Sequence, residues 1–161
     1  MKIGLLSDTH SFIHPDIVKY FKNCDEIWHS GDIGNLNSLK KLESNKKLRA
    51  VYGNIDNDLI RRETKEYLFF SIDSLKFLII HIAGSPPNYN SKTKKLIKNY
   101  KPDILICGHS HILKIKKDNK NDLLYMNPGA CGKVGFHNIK TIVRFEIENK
   151  KIKNLEAIEL R

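Results

Sequence analysis

Five apolar runs in the first 111 residues each stop on a side chain that can bind a cation or carry a proton. KIGLLS runs into Asp8-Thr9-His10 and EIWHS into Gly31-Asp32. LRAVY runs into Gly53-Asn54-Ile55-Asp56, LKFLII into His81, and ILIC into Gly108-His109-Ser110-His111. Short, nearly continuous apolar runs mark strands buried on both faces, as in sheets with parallel strands. Helical patterns alternate with the first three runs, which implies right-handed crossovers and a parallel core. In open α/β sheets the carboxyl ends of the strands gather along one edge, where ligands bind. Residues as distant in sequence as Asp8 and His111 are therefore expected to meet.

The rest of the chain fits that frame. Pro15 opens a helix with Ile17, Val18 and Phe21 on one side, and NLNSLKKLE is a short helix with Leu36, Leu39 and Leu42 three apart. The third strand is LRAVY, 48–52. KEYLFFSID and LKFLIIHI read as adjacent strands around Asp73-Ser74, SPPNYN as a loop, and SKTKKLIKNYK as a basic helix with Ser91 as its N-cap. The last third is all strand: ILKIKKD, DLLYMN, TIVRFEIE and IKNLEAIEL. Its apolar alternation is partial, through Val143, Phe145 and Ile147 and then Ile152, Leu155 and Ala157. No repeat or low-complexity linker interrupts the chain, so residues 1–161 read as one α/β domain of two packed sheets with helices outside.

Composition narrows the function classes. The chain is 40% hydrophobic, and no apolar run approaches the roughly 20 residues that span a bilayer. The start, MKIGLLSDTH, meets an acid and a histidine where a secretory signal would continue apolar. Cys24, Cys107 and Cys131 are odd in number and widely spaced. They read as small buried hydrophobes in a reducing, cytoplasmic setting. The net charge is +10, but only five of 28 basic residues are arginine, and the lysines lie among asparagines, as in SNKKLR and KIKKDNKND. Few aromatics interleave with them. That pattern fits a solvated lysine surface better than a nucleic-acid track.

The strand-end donors are Asp8, His10, Asp32, Asn54, His81, His109 and His111. Four imidazoles, two carboxylates and an amide oxygen exceed the needs of one ion. They divide into two four-ligand sites if one carboxylate bridges. Nitrogen and oxygen donors without thiolate suit Mn, Fe or Zn better than Ca or Mg. Two such ions can activate a bridging hydroxide and neutralise a phosphate. Taken singly, each motif has a plainer explanation: Asp caps helices, Gly-Asn makes turns, and a lone histidine packs in cores. The ordered set of five is what carries weight.

That order, D-x-H, G-D, G-N-x-D, H, G-H-x-H, resembles the calcineurin-like metallophosphoesterases. The small size and the stretch NPGACGKVGFHNIKT resemble the compact bacterial and archaeal phosphodiesterase branch of that superfamily. The resemblance extends from Lys2 to about Phe145. It implies a four-layer αββα sandwich of two mixed β-sheets flanked by helices. It implies a metal-dependent phosphoric ester hydrolase, with Asp8, His10, Asp32 and His111 on one ion and Asp32, Asn54, His81 and His109 on the other. Asp32 would bridge, and Asp32, Asn54 and His81 would also serve catalysis. The cofactor implied is two divalent ions, Mn²⁺ first, with Fe, Zn, Ni or Mg as alternatives. The substrate implied is a small phosphate ester, and the assembly a homo-oligomer, dimer or larger.

Two departures stand out. Many members carry histidine after the Gly-Asn, and the compact branch usually carries cysteine. Here Ile55 can neither donate a proton nor steady charge. His81 is followed by Ile82-Ala83-Gly84 where glycine often comes at once. Two rivals stand beside this reading: a nuclease that uses the same metals with the lysines for backbone contact, and a protein-binding scaffold of the same fold, against which the seven filled ligand positions count. Among the remaining polar residues, Asp56 reads as a residue that orients the donors or as a turn residue, and His29 as a packed histidine. His14 and His137 read as solvated, Ser7 as structural, and Asn127-Pro128-Gly129 as a tight turn.

Overall fold

The structure, a computed structural model, describes residues 1–43 and 46–161; the opening Ser44 and Asn45 of the SNKKLR stretch lie outside them. The elements run β1 (Lys2–Leu6), α1 (Pro15–Tyr20), β2 (Glu26–His29), α2 (Leu36–Glu43), β3 (Lys47–Ala50), α3 (Asp58–Glu63), β4 (Tyr67–Ile72) and β5 (Leu75–Ile80). They continue as β6 (Gly84–Ser85), β7 (Asn88–Tyr89), α4 (Ser91–Tyr100), β8 (Ile104–Ile106), β9 (Leu113–Asp118), β10 (Leu123–Pro128), β11 (Lys140–Glu148) and β12 (Lys151–Leu160).

Two five-stranded mixed sheets form, with strand orders β12-β11-β1-β2-β3 and β4-β5-β8-β10-β9. β1, β2 and β3 are parallel, as are β5, β8 and β10; the remaining pairings, with β4, β9, β11 and β12, are antiparallel. The two parallel cores explain the near-continuous apolar runs. Alternate residues of each strand face opposite sides, and both sides are covered. Ile3 and Leu5 of β1, Trp28 of β2, Phe77 and Ile79 of β5, Ile104 and Ile106 of β8, and Val143 and Phe145 of β11 interleave between the sheets. Trp28 sits at the centre, edge-on to Phe70, Phe77 and Phe145. The opposite faces bury Leu6 and Ile27 under Ile17 and Phe21 of the α1 segment and Leu42 of α2. On the other sheet they bury Leu78, Leu105 and Tyr125 under Leu96 and Ile97 of α4. The result is the four-layer αββα sandwich.

Several local readings are corrected. Val18 is exposed, because in a helix only Ile17 and Phe21, four apart, share the inward face. The third strand is Lys47–Ala50, one residue earlier than expected, and Val51 makes only a bridge to Lys65. Asn90, not Ser91, caps α4: its Oδ1 accepts from the Thr93 N–H at 2.8 Å. SPPNYN is not a plain loop, since Ser85 and Asn88 pair across Pro86-Pro87. α3 was not anticipated. It is six residues long with one buried side chain, Ile60, too little for a periodic signal.

In β12 the buried residues near the end are Ile158 and Leu160, while Leu155 and Ala157 are exposed. Between the pairs Arg144–Glu156 and Glu146–Lys153, β12 has one residue more than β11, and Asn154 turns left-handed with φ 49°. This bulge reverses the facing of every residue beyond it. Ile152 therefore packs between the sheets and Ile158 on the outer face.

Candidate metal centre

The carboxyl ends of the parallel strands of both sheets meet at one edge. Ser30 Oγ donates to the Cys107 carbonyl at 3.0 Å, and the Gly108 N–H donates to the His81 carbonyl at 3.0 Å. The chain leaves these strands in an unusual conformation. Asp8, His10, Asp32, His109 and His111 have φ of 54°, 45°, 56°, 68° and 59°. Each such residue costs roughly 1–2 kcal/mol, and a run of them in one place marks a functional site. Left-handed turns break the strand's alternation, so neighbouring donors project along the edge. Two glycines allow the close approach. A Cβ at Gly53 would lie 2.0 Å from Asp32 Oδ1, and one at Gly108 would lie 2.1 Å from Ser7 Oγ.

The donors fall into two groups that could each hold an ion: Asp8, His10 and His111, and Asp32, His81 and His109. Asp32 spans both. Its Oδ1 is 3.2 Å from His81 Nε2, and its Oδ2 is 3.5 Å from His10 Nε2. Asp8 Oδ1 lies 3.1 Å from His111 Nε2 and 4.0 Å from His81 Nε2. His109 and His111, two residues apart, thus serve different groups. Asn54 is exposed and lines a cleft of about 380 Å³ beside His81, together with Tyr52, Arg61, Glu66, Ile82 and Lys92.

The donor atoms are those a cation needs. The His81 Nδ1–H donates to the Ser30 carbonyl at 2.8 Å, which leaves Nε2 bare and facing a carboxylate. Asp8 Oδ1, His10 Nε2 and His81 Nε2 are buried without a hydrogen-bond partner. They are three of only four such side-chain atoms among the described residues. Bare acceptors facing one another repel unless a proton or a cation lies between them, and these residues therefore fit divalent ions.

The electrostatics agree. Burial opposes ionisation of Asp8, but the neighbouring His111 ring, the His81 charge and the Ser7 hydroxyl outweigh it and hold the carboxyl below its usual value. Burial likewise works against Asp32, and His81 and the Ile55 N–H overcome it, so this carboxyl too is lowered. Burial works against charge on His81, yet Asp32 and Asp8 raise its pKa. Asp8 raises His111 in the same way. Carboxylates kept ionised beside imidazoles that attract positive charge make a cation site.

Other residues hold the donors in place. Asp56 is buried and accepts from the N–H groups of Ile33 (3.1 Å), Gly34 (2.7 Å) and Gly53 (2.8 Å), so it clamps the turn after Asp32 to the turn after β3. Ser7 Oγ donates to Asp8 Oδ2 at 2.5 Å. The Asn127 side chain, fully buried, donates to the Gly108 carbonyl and to Ser110 Oγ, pinning the histidine loop. His29 is fully buried; its Nδ1 accepts from the Gly31 N–H, and Nε2 lies 2.9 Å from Thr9 Oγ1. Two histidines read as solvated are not. His14 caps α1 by accepting from the Asp16 N–H, and His137 contacts His111. Neither sits in an apolar pattern, so periodicity carried no signal for them.

A two-sheet sandwich that collects such a donor set at one edge defines a metal-dependent phosphoester hydrolase. The chain belongs to the calcineurin-like phosphoesterase superfamily, whose domain model matches residues 1–150. A probable metallophosphoesterase of Methanocaldococcus jannaschii is 33% identical over 99% of this chain and 82% of its own length. A phosphodiesterase of the same organism is 34% identical over 81% of this chain and 84% of its own. Among solved structures, a novel archaeal phosphodiesterase superimposes with TM-score 0.77 at 30% identity, covering 99% of this chain and all of the other. Zinc-complexed Vps29 of Entamoeba histolytica shares the fold at TM-score 0.75 and 17% identity, over 99% of each chain. The family uses divalent metals to hydrolyse phosphoesters, and no helix among the described residues is long and apolar enough to cross a membrane.

Proposed function

We propose that this chain, residues 1–161 acting as one domain, is a phosphodiesterase with a dinuclear centre. Asp8, His10, Asp32 and His111 hold one ion; Asp32, Asn54, His81 and His109 hold the other. The observation that carries this reading is Asp32, whose two oxygens face different imidazole groups at 3.2 and 3.5 Å. When bound, two divalent ions supply Lewis-acid neutralisation of the phosphate and activate water for attack in line with the leaving group. The donor set, nitrogen and oxygen without thiolate, favours Mn²⁺ over Mg²⁺. The protein's own part is to hold the donors rigid through Asp56, Ser7 and Asn127. Asn54 and His81 also face the phosphoryl group, and the cleft beside them receives an ester substituent. The working context is cytoplasmic, on a small soluble ester, in a homo-oligomer.

The test is hydrolysis of an aryl phosphodiester and the matching monoester by metal-stripped protein with Mn²⁺ restored, alongside Asp32→Ala. Mn²⁺-dependent diester cleavage that falls about 100-fold or more in the variant, together with bound metal, is expected. Full metal content and rate in Asp32→Ala would refute the assignment. A steep loss of binding to nucleic acid with rising salt would favour the nuclease instead. Two bound ions with no turnover would favour a scaffold.

Ile55 sets the leaving-group range. Its N–H donates to Asp32 Oδ1 at 3.2 Å, and its side chain is 45% exposed. The backbone role is kept while a proton donor is missing. Aryl diesters should therefore turn over faster than alkyl diesters, and Ile55→His should narrow the gap. Equal rates on both esters in the unmodified protein would refute this.

A further inference from the structure

The loop after β10 carries an imidazole that the ligand assignment leaves out. His137 Nδ1 lies 3.2 Å from His111 Nδ1, with the rings edge to face at 79°. His137 Nε2 lies 3.1 Å from the Gly132 carbonyl. A carbonyl only accepts, so the neutral His137 ring carries its proton on Nε2 and offers a bare Nδ1. One proton fits between the two Nδ1 atoms, and it belongs to His111. His111 Nε2 is then bare, facing Asp8 Oδ1 at 3.1 Å.

We infer that His137 is a positioning residue. By accepting the His111 Nδ1–H it fixes the tautomer and ring angle that present His111 Nε2 to the ion held with Asp8 and His10. This inference rests on the metal assignment above. His81 has the equivalent support from a backbone carbonyl, that of Ser30. His111 obtains it from a side chain, which makes its support removable by substitution.

Two further observations fit this role. Gly135, at φ +123°, lies beside this contact; a Cβ there would sit 2.1 Å from His111 Nδ1 and 3.1 Å from His137 Nδ1. The chain gives up a side chain where the two imidazoles meet. The same loop is also stitched to the strand end that carries Asp8. The Cys131 N–H donates to the Ser7 carbonyl at 3.1 Å and the Gly132 N–H to the Asp8 carbonyl at 3.0 Å. His137 is therefore held in register with Asp8, its carbonyl partner being part of that seam.

The experiment is calorimetric titration of metal-stripped protein with Mn²⁺, for the unmodified chain, His137→Phe and His137→Asn, with folding checked by circular dichroism. The unmodified chain should take two ions. His137→Phe, which keeps a ring but no acceptor, should weaken one of the two by about 10–100-fold and leave the other unchanged. His137→Asn places an oxygen acceptor near the lost Nδ1 and should recover most of that affinity. Gly135→Ala, which presses a methyl against His111 Nδ1 beside the contact, should reproduce the weakened site by an independent route. Zinc-loaded protein gives a second readout: the nitrogen resonances of His111 should report an Nδ1–H tautomer in the unmodified chain and lose that uniformity in His137→Phe. A His137→Phe protein that binds both ions as tightly as the unmodified chain overturns the inference. So does a His137→Asn protein as weak as His137→Phe, because that would make the loss one of loop structure. Failure of the unmodified chain to bind two ions would overturn the metal assignment itself, and this inference with it, before any variant is compared.

Discussion

Asp56 supplies none of the facing donor atoms and does not line the cleft, yet three backbone N–H groups from two different turns end on its carboxylate. Its Cα is far from Asp32 in sequence, and its effect on Asp32 runs entirely through backbone. Asp56→Ala should leave those buried donors without an acceptor and cost about 3 kcal/mol of stability. It should also weaken metal binding, since the Asp32 turn is no longer clamped. Chemical denaturation and metal titration of the variant check both; unchanged stability would mean the clamp is not what holds the turn. The candidate donors were legible as an ordered set, because each followed an apolar run, though none stood out alone. Asp56 was legible only as an ambiguity, since an Asx turn and a tertiary clamp place the same residue type after Gly-Asn. His137 was not legible at all. Its partner is 26 residues away, and nothing in KVGFHNIK signals contact with His111.

At the scale of elements, β1 shows how a strand buried on both faces meets a helix. Gly4 interrupts the apolar run, and a Cβ there would lie 2.6–2.7 Å from three atoms of the Phe21 ring. The glycine is the seat on which the end of the α1 segment rests. Gly4→Ala should overpack that seat and cost about 1–3 kcal/mol. Pairing it with Phe21→Leu should return part of the loss, because the two residues touch and their effects are not additive. A urea-unfolding cycle of the four proteins measures this, and strict additivity would show that the contact does not set the cost. Strands with continuous apolar sequence were placed within a residue or two of their ends. The ends of β12 were found too, but not its facing, which depends on a register break against β11; the six-residue α3 was missed, since it rests on a cap and a single buried isoleucine.

For the whole molecule, the buried edge that holds the donors also sets how stability responds to acid. Burial drives the pKa of His29 down to about 3, and both its nitrogens are engaged with the ring neutral. Between pH 3 and 6.5 the unfolded chain binds a proton there that the folded chain refuses. Stability from this group is therefore complete above about 6.5 and is lost as pH falls. The loss runs at up to about 1.4 kcal/mol per pH unit. His81 and His111 have raised values and the opposite sign: in metal-free protein they favour the folded state below 6.5, and that contribution fades as pH rises through their folded values. Between pH 6 and 4.5 both are protonated whether the chain is folded or not, so His29 dominates the slope. Denaturation of metal-free protein across that window should show the slope, and His29→Gln should flatten it. An unchanged slope would place the acid sensitivity elsewhere.

The sequence by itself determined the class of fold and singled out the candidate donors. Both follow from local pattern: apolar runs long enough for doubly buried strands, and a polar residue at each run's end. The distances at which Asp32 faces both imidazole groups, the reversal of facing along β12, the clamp at Asp56 and the pairing of His137 with His111 were decided only by tertiary structure. Each depends on which turns lie against each other once two sheets close on one core. That contact is made by residues far apart in the chain, and its distances, not its residue types, settle what each side chain can do.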